Sequence, residues 1–383
     1  MILQPIHLLI VQPTPFCNID CDYCYLPNRA SKARMTLDTV ARIGDFVAGA
    51  ETTSGELTMV WHAGEPLAVP VAFYKEAFAI LKERCTRPEL KHNFQTNGTL
   101  IDQAWCELFK AWNATVCVSI DGPEDMHDAH RVDRAGRGTF AKVMRGVECL
   151  KEAEVAFSIL GVMSRNSLGK AGRLWEFWTS VGAPYVGINI EELEGAHEST
   201  TLDADRDFAA TAAFFEDLAQ KWDLSKAPRV RELEEMRRHL TAPPDANMHR
   251  AMAHAGSIIS IDCDGNISTY SPELLGLKDK RLGEFIWGNV HRDNWQSFGD
   301  NPELAKIDAE IQAGVSKCKS SCGYFAICGG GNPSNKLAEK GTFDCDETLY
   351  CRLHVKALAD IVIKRLEREL KERGEYGSVT AVA

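Results

Sequence analysis

The chain has 383 residues, of which 45% are hydrophobic and 25% charged, and its formal net charge is -11; this is the composition of a globular protein large enough for two or three domain units. The acidic balance argues against nonspecific binding to nucleic acid, whose phosphates demand clustered Lys and Arg. Since no apolar run of about 18 residues and no charged leader occurs, we expect no membrane partner and a cytoplasmic location.

Strand-like apolar runs alternate with amphipathic helical stretches over the first half of the chain. The predicted strands cover residues 7–11, 57–61, 92–95, 115–120, 156–162 and 185–190. The predicted helices, with apolar residues at three- and four-residue spacing, cover residues 37–50, 71–84, 103–112, 139–153 and 168–181. This α/β alternation predicts a parallel sheet, and six units predict a partial (β/α)6 barrel, like a TIM barrel open on one side.

The loop after the first predicted strand carries Cys17, Cys21 and Cys24. Thirteen cysteines without an export signal favour metal or redox chemistry over disulfides. Three thiolates can hold three irons of a [4Fe-4S] cluster, which normally takes four, and leave the fourth iron open to a ligand. A structural zinc site and buried packing are the alternatives, although no fourth cysteine follows before Cys85. Cysteines that lie singly in apolar or amphipathic runs are expected to pack in the core: Cys85, Cys106, Cys117 and Cys149.

Polar motifs follow the next three predicted strands, at residues 61–66, 95–98 and 119–123. Such folds place their chemistry at the carboxyl ends of the strands, so we expect these motifs to line one cavity. The alternative is turn chemistry, since Asn-Gly and Asp-Gly are common turn formers. The candidate binding residues here and shortly after are Ala63, Gly64, Glu65, Thr96, Asn97, Ser119, Asp121 and Arg131.

The second half of the chain divides into two predicted segments. Residues 192–257, with helices at 203–221 and 229–240, form an insert or linker over the open side of the barrel domain, which covers residues 1–191. Residues 258–383 form a second domain that opens with a hairpin at 258–270 around an Asp-Gly-Asn turn and ends with a helix at 354–373.

A second group of cysteines lies in this last segment, around a run of three glycines at 329–331. Closely spaced thiols with glycines that let the backbone approach indicate a metal cluster, most simply one held by four cysteines. A zinc ion held by four cysteines is the alternative. The candidate ligands are Cys318, Cys322, Cys328, Cys345 and Cys351.

The spacing CxxxCxxC, with Tyr23 before the last cysteine, resembles the radical S-adenosylmethionine (SAM) enzymes. The run 61–66 resembles that family's GGEP motif with Ala63 in place of the first glycine, and the second cysteine group resembles the SPASM extension. The resemblance implies that the open iron chelates SAM, with Tyr23 and the motif residues around the cofactor, and that an electron then cleaves SAM to a 5′-deoxyadenosyl radical.

SPASM extensions usually hold two auxiliary clusters, but Ser271-Pro272 and Asn332 stand where the pattern has cysteines. The resemblance therefore implies a single auxiliary [4Fe-4S] cluster. Its implied ligands are Cys318, Cys322, Cys328 and, in preference to Cys345, Cys351.

Residues 12–17, 25–27, 271–276 and 347–351 are most similar to the cyclophane-forming SPASM peptide maturases. That similarity implies a ribosomally made precursor peptide, a radical at a side-chain Cβ that attacks an aromatic ring, and an electron donor such as flavodoxin or ferredoxin. Asp121, Glu191 and Asp262 are the candidate bases. Two alternatives remain: an oxidase like the sulfatase maturases, which makes formylglycine, and a noncatalytic iron-sulfur scaffold that binds peptides.

Overall fold

The computed structural model of the protein describes residues 2–242 and 252–374. Its strands are β1 (Leu8–Val11), β2 (Ile19–Cys21), β3 (Glu56–Trp61), β4 (Glu89–Thr96), β5 (Thr115–Ser119), β6 (Arg131–Asp133), β7 (Phe157–Met163), β8 (Tyr185–Ile190), β9 (Arg229–Val230), β10 (Ile258–Ile261), β11 (Asn266–Thr269), β12 (Lys278–Asp279), β13 (Gly283–Glu284) and β14 (Gly288–Asn289). Its α-helices are α1 (Leu37–Ala48), α2 (Val71–Arg84), α3 (Gln103–Ala111), α4 (Glu124–His127), α5 (Phe140–Glu152), α6 (Ala171–Val181), α7 (Phe208–Lys221), α8 (Arg231–Thr241), α9 (Trp295–Gly299), α10 (Pro302–Ser321), α11 (Phe325–Cys328), α12 (Pro333–Lys340) and α13 (Ala357–Glu372).

The main sheet has ten strands in the order β14-β11-β10-β1-β3-β4-β5-β7-β8-β9. The six strands predicted for the barrel are consecutive neighbours in it, and every pair among them is parallel. Between successive strands the chain returns through helices, as parallel pairing requires. The predicted α/β class and partial parallel barrel are therefore confirmed.

Large aromatic side chains fill the space between the sheet and the helices that cover β3 and β4. Trp61, Tyr74, Phe78 and Phe94 are fully buried and meet edge to face, tilted or, for Trp61 and Phe94, stacked, with ring centroids 5.1–6.3 Å apart. Such close packing fixes the strands relative to one another. The loops at their carboxyl ends thus start from well-defined positions.

The hairpin predicted at 258–270 is present, and it extends the barrel sheet. β10 pairs in parallel with β1, with Leu8 opposite Ile258, and β11 pairs antiparallel with β10. The barrel and the beginning of the cysteine-rich segment therefore share one sheet. The domain boundaries at 191 and 257 remain predictions.

The predicted insert contains α7 and α8, against which the C-terminal helix α13 packs. Arg237 on α8 forms an ion pair of 2.7 Å with Glu369 on α13, and Arg365 donates to the carbonyl of Trp222 at 3.1 Å. Residues 243–251 of the predicted insert and 375–383 of the predicted second domain lie outside the described residues. None of the described helices combines the length and the apolarity that crossing a bilayer requires.

Candidate active site

A cavity with an empty volume of about 1050 Å³, its mouth included, lies at the carboxyl ends of the barrel strands. Each barrel strand contributes to its wall, either with its last residues or with the loop that follows. Its lining includes Cys17, Cys21, Tyr23, Cys24, His62, Ala63, Gly64, Thr96, Asn97, Ser119, Arg131 and Glu191. The prediction that the strand-end motifs meet in one place is thus matched by the geometry.

The cysteine loop is held by a short antiparallel ribbon that the sequence did not reveal. β2 pairs with β6, so that Cys21 lies opposite Arg131. Arg134, in the turn after β6, donates to the carbonyl of Cys17 at 2.9 Å. Two of the three cysteines are nearly fully buried, and all three line the cavity.

Burial raises the pKa of the Cys17 thiol to about 11 and that of Cys21 to about 12. Metal binding therefore has to displace protons from these thiols. No three of the described His, Cys, Asp or Glu side chains converge on a single ion position. A [4Fe-4S] cluster binds each thiolate to a different iron, so its ligands do not need to converge on one point.

The loop after β3 presents Ala63 and Gly64 to the cavity, both with positive φ, 63° and 74°. A Cβ on Gly64 would lie 2.3 Å from the Thr14 carbonyl oxygen, so only glycine lets this loop pack against the start of the cysteine loop. Ala63 occupies its left-handed conformation at some cost.

Glu65 does not line the cavity, although the resemblance placed it beside the cofactor. Its carboxylate is fully buried and accepts from the Leu67 amide at 2.9 Å, the Thr96 hydroxyl at 2.7 Å and the Asn97 amide at 2.8 Å. Burial raises its pKa to about 7 in spite of these hydrogen bonds. Glu65 therefore ties the loop after β3 to the end of β4 and positions Gly64.

The end of β4 is joined to the cysteine loop in turn. The Asn97 side chain donates to Asn18 Oδ1 at 2.8 Å and lies 3.8 Å from the Cys17 sulfur. Gln95 donates to the Ser119 hydroxyl at 2.9 Å, which links β4 to β5. The side chains of the polar motifs therefore form hydrogen bonds with one another in addition to lining the cavity.

Asp121 and Arg131 form a buried ion pair, with Arg131 Nε 3.0 Å from Asp121 Oδ2. The Tyr23 hydroxyl also donates to Oδ2, and the Val162 amide donates to Oδ1 at 2.9 Å. Burial raises the pKa of Tyr23 well above its usual value, so the phenol stays protonated and donates. Because both its oxygens are engaged, Asp121 anchors Tyr23 and Arg131 against the cysteine loop.

The other two candidate bases lie in different surroundings. Glu191 lines the cavity and accepts from the Thr201 amide at 3.1 Å. Burial opposes its ionisation, but the His197 ring, 3.7 Å away, and the hydrogen bonds from Thr201 outweigh burial and lower its pKa. Asp262 does not line this cavity. Its carboxylate accepts from the Asp264 and Asn266 amides, both at 2.9 Å, and so closes the turn between β10 and β11.

Three further carboxylates line the cavity that sequence reasoning missed, Glu192, Glu194 and Glu273. Burial raises the pKa of Glu192 to about 8 and that of Glu273 to about 7. Burial and repulsion from Glu273 raise the pKa of Glu194 well above its usual range. Glu192 accepts from Asn335 at 2.6 Å, whereas Glu273 Oε2 is buried with no hydrogen-bond partner in the described part of the chain. Glu192 and Glu194 follow β8 directly, which is the signal that could have found them.

The raised pKa of Glu192 predicts a pH-dependent stability. The folded protein holds a proton on Glu192 up to about pH 8, whereas the unfolded chain releases it near its ordinary pKa. The free energy of unfolding therefore falls as pH rises through that window. Glu192→Gln removes this dependence, so we expect the variant to gain about 3–4 kcal/mol relative to the wild type between pH 5 and pH 8. Denaturant melts of the anaerobic holoprotein at both pH values measure it.

The matched control is Glu176→Gln, which removes an exposed carboxylate from α6. Its stability relative to the wild type should be the same at both pH values. A parallel response of the two variants to pH would contradict the assignment of a buried, protonated Glu192.

A second cavity, with an empty volume of about 770 Å³, is lined by Cys318, Cys322, Cys328 and Cys351. Cys318 lies in the last turn of α10, Cys322 caps that helix, and Cys328 ends α11. Cys351 begins a π-helical turn, Cys351–Lys356. Cys345 does not line this cavity; its thiol donates to the Thr342 carbonyl at 3.6 Å. The arrangement supports the preference for Cys351 over Cys345, which remains a prediction.

The two positions that lack the expected cysteines, Ser271 and Asn332, are joined by a polar network. The Ser271 hydroxyl donates to the Ser334 hydroxyl at 3.3 Å, which donates to Asn332 Oδ1 at 3.1 Å. Ser271 and Ser334 are buried. Hydrogen bonds thus connect the two positions at which SPASM proteins usually have cysteines for a further auxiliary cluster.

Comparisons with known proteins agree with this geometry. The family model of the radical SAM superfamily matches residues 11–166. An uncharacterized protein of Synechocystis, sll1766, is 39% identical over 372 residues, which are 96% of this chain and 93% of that protein. The serine-type anaerobic sulfatase-maturating enzyme of Klebsiella aerogenes is 27% identical over 346 residues, 86% of this chain and 80% of that enzyme.

Two solved structures have a similar fold. The structure of anSMEcpe with bound AdoMet and the Cp18Cys peptide has a TM-score of 0.75 at 19% identity and covers 96% of this chain and 100% of that chain. Streptococcus suis SuiB bound to S-adenosylmethionine has a TM-score of 0.63 at 18% identity and covers 91% of this chain and 78% of that chain.

Proposed function

Because this chain belongs to the radical SAM superfamily, we propose that it oxidatively modifies a ribosomally made precursor peptide and forms a cyclophane crosslink between an aromatic ring and a side-chain Cβ. One observation carries the proposal. A cavity with three thiols opens at the carboxyl ends of the barrel strands, and a second cavity with four thiols lies in the segment that shares the barrel's sheet. Three thiols fit a cluster that binds a ligand, and four fit a cluster that only exchanges electrons.

The residues of the first cavity fit a [4Fe-4S] cluster and SAM. Cys17, Cys21 and Cys24 would hold the cluster, and the backbone at Gly64, which no side chain obstructs, would approach SAM together with Ser119. When bound, the pair supplies a carbon radical that removes a hydrogen atom from the substrate. The cavity walls must orient the substrate and exclude competing hydrogen donors.

Within this proposal Glu273 takes the proton that the aromatic ring loses when the crosslink has formed. Its Oε2 atom is buried and unpaired among the described residues, and burial raises its pKa to about 7, which suits a group that accepts and releases a proton near neutral pH. Asp121 has both oxygens engaged, and Asp262 lies outside the cavity. We therefore propose Glu273 as the base in place of Asp121 and Asp262. Glu191 remains a candidate for the same role.

The second candidate function is oxidation of a Cys or Ser side chain to formylglycine. The 27% identity to the Klebsiella aerogenes sulfatase-maturating enzyme favours it. The polar network at Ser271, Ser334 and Asn332 counts against it, since that group normally keeps the ligands for two auxiliary clusters.

Coexpression with a candidate precursor peptide tests the proposal. Each crosslink removes two hydrogens, so we expect the peptide mass to fall by about 2 Da per crosslink. Tandem mass spectrometry should then find no fragmentation between the joined residues. Oxidation of Ser to formylglycine also removes two hydrogens, so the product is treated with a hydrazide that reacts with aldehydes.

A product that loses about 2 Da and does not react with the hydrazide supports a crosslink. A hydrazide-reactive product would establish the second candidate. An unchanged mass in a peptide that contains aromatic residues, with SAM consumed, would contradict the crosslink, and an unchanged mass in a peptide that also contains Cys and Ser would contradict both.

A further inference from the structure

Lys336 is a buried lysine on α12, with 3% of its surface exposed. Its Nζ atom donates to the sulfur of Cys318 at 3.6 Å, and it lines the cavity of four thiols. Gly314 on α10 packs against the Phe343 carbonyl oxygen, which a Cβ there would approach to 2.1 Å, and its Cβ position lies 3.1 Å from Nζ. Within residues 2–242 and 252–374, Lys336 forms no ion pair with a carboxylate within 4.0 Å.

A buried ammonium without an anion costs several kcal/mol and is rarely tolerated. Lys356, which lines the same cavity, avoids this cost by pairing with Glu347. The Asp346 carboxylate also lines the cavity and interacts with Lys336 from beyond 4.0 Å. The anions in direct contact with Lys336 would be the thiolates that the cavity holds when a metal group is bound, since Cys318 is already its hydrogen-bond partner. The position of Lys336 thus indicates a negatively charged group in this cavity.

We propose that Lys336 is a positioning residue that raises the reduction potential of a four-thiolate [4Fe-4S] cluster in this cavity. The inference rests on the proposed function, which gives this cluster the role of electron acceptor. Reduction adds one negative charge to the cluster, so a fixed positive charge beside one of its sulfurs stabilises the reduced form more than the oxidised form. A cluster held by these four cysteines would accept one electron from the substrate radical, and Glu273 would take the proton that the ring loses.

The test uses a variant in which Cys17, Cys21 and Cys24 are all alanine, so that only the second site can hold a cluster. Its potential is measured by an anaerobic redox titration followed by electron paramagnetic resonance. Adding Lys336→Met should lower the potential by at least about 59 mV, a tenfold change in a one-electron equilibrium. Lys336→Arg, which keeps the charge, should shift it much less. Lys340→Met removes an exposed lysine from the same helix and should leave it unchanged.

Equal potentials in the Lys336→Met and Lys340→Met variants would overturn the proposal, and so would a site that holds zinc in place of iron. If the Lys336→Met variant does not bind iron, the Lys336→Arg variant distinguishes a role of the charge from a role in packing. Iron binding with a potential near that of the parent supports a role of the positive charge. Loss of iron from Lys336→Arg as well shows that Lys336 acts through packing and overturns the proposal. These readings use no peptide. If the potential falls as expected and the wild-type enzyme modifies no peptide, only the proposed function is contradicted.

Discussion

Replacing Cys24 with alanine should reduce SAM cleavage to background. With only Cys17 and Cys21 left in the loop, a cluster would have two of its three protein ligands, and the iron that must bind SAM would not be held. The measurement is 5′-deoxyadenosine formed by reconstituted enzyme under a strong reductant, with iron content determined on the same sample. The expected loss of iron is about one cluster of two, since the site at Cys318 is untouched.

Cys149→Ala is the matched control for this variant. Cys149 lies half-buried on α5 and packs against the core, so its replacement should leave both iron content and SAM cleavage near wild-type values. Undiminished cleavage by Cys24→Ala would remove the basis of the proposed function, and zinc at this site in wild-type protein would do the same.

Asp121→Asn should destabilise the protein by about 3–5 kcal/mol, because it leaves the Arg131 guanidinium buried without its counter-charge. The Tyr23 hydroxyl loses its charged acceptor at the same time. Since Arg131 lies opposite Cys21 in the β2–β6 ribbon, we expect a cluster held by Cys17, Cys21 and Cys24 to be lost more readily as well. Denaturant unfolding and the rate of iron release to a chelator measure the two effects.

The matched control is the exposed ion pair of Arg173 and Asp125, which joins the same two residue types with nitrogen and oxygen 2.9 Å apart. Asp125→Asn should change stability far less than Asp121→Asn does, because solvent screens the exposed pair. The double variant Asp121→Asn with Arg131→Met should recover part of the lost stability, since no unpaired charge remains. Equal losses in the two single variants would mean that the buried pair contributes no more than a surface pair.

The order of the barrel strands and the meeting of the polar motifs could be predicted from the sequence because both follow from local patterns. Apolar runs mark strands buried on two faces, and the carboxyl ends of parallel strands necessarily share one edge. The β2–β6 ribbon could not be found in this way, since strands of three residues show no periodicity. α10 was missed as well, although Asn301 and Pro302 form an ordinary helix start.

The side-chain directions within the motifs depend on tertiary contacts. The residues around Glu65 do not predict that its carboxylate accepts hydrogen bonds from Thr96 and the Asn97 amide. Nor do they predict that Ala63 and Gly64, and not Glu65, line the cavity. Glu273 is distant in sequence from Glu192 and Glu194, and only the fold brings the three to one wall. Their raised pKa values follow from shared burial, which the sequence does not encode locally.

The pairing of β10 with β1 fixes the path between the two sulfur-rich sites. β1 leads directly to Cys17, and β10 and β11 begin the segment that holds Cys318, so backbone hydrogen bonds join the start of that segment to the strand before the first site. Opening a hinge between β1 and this hairpin would break that ladder of bonds. For the two clusters and the peptide substrate proposed above, we therefore expect the separation of the clusters to change little when the peptide binds, and the adjustment that admits the peptide to occur at the rim of the first cavity.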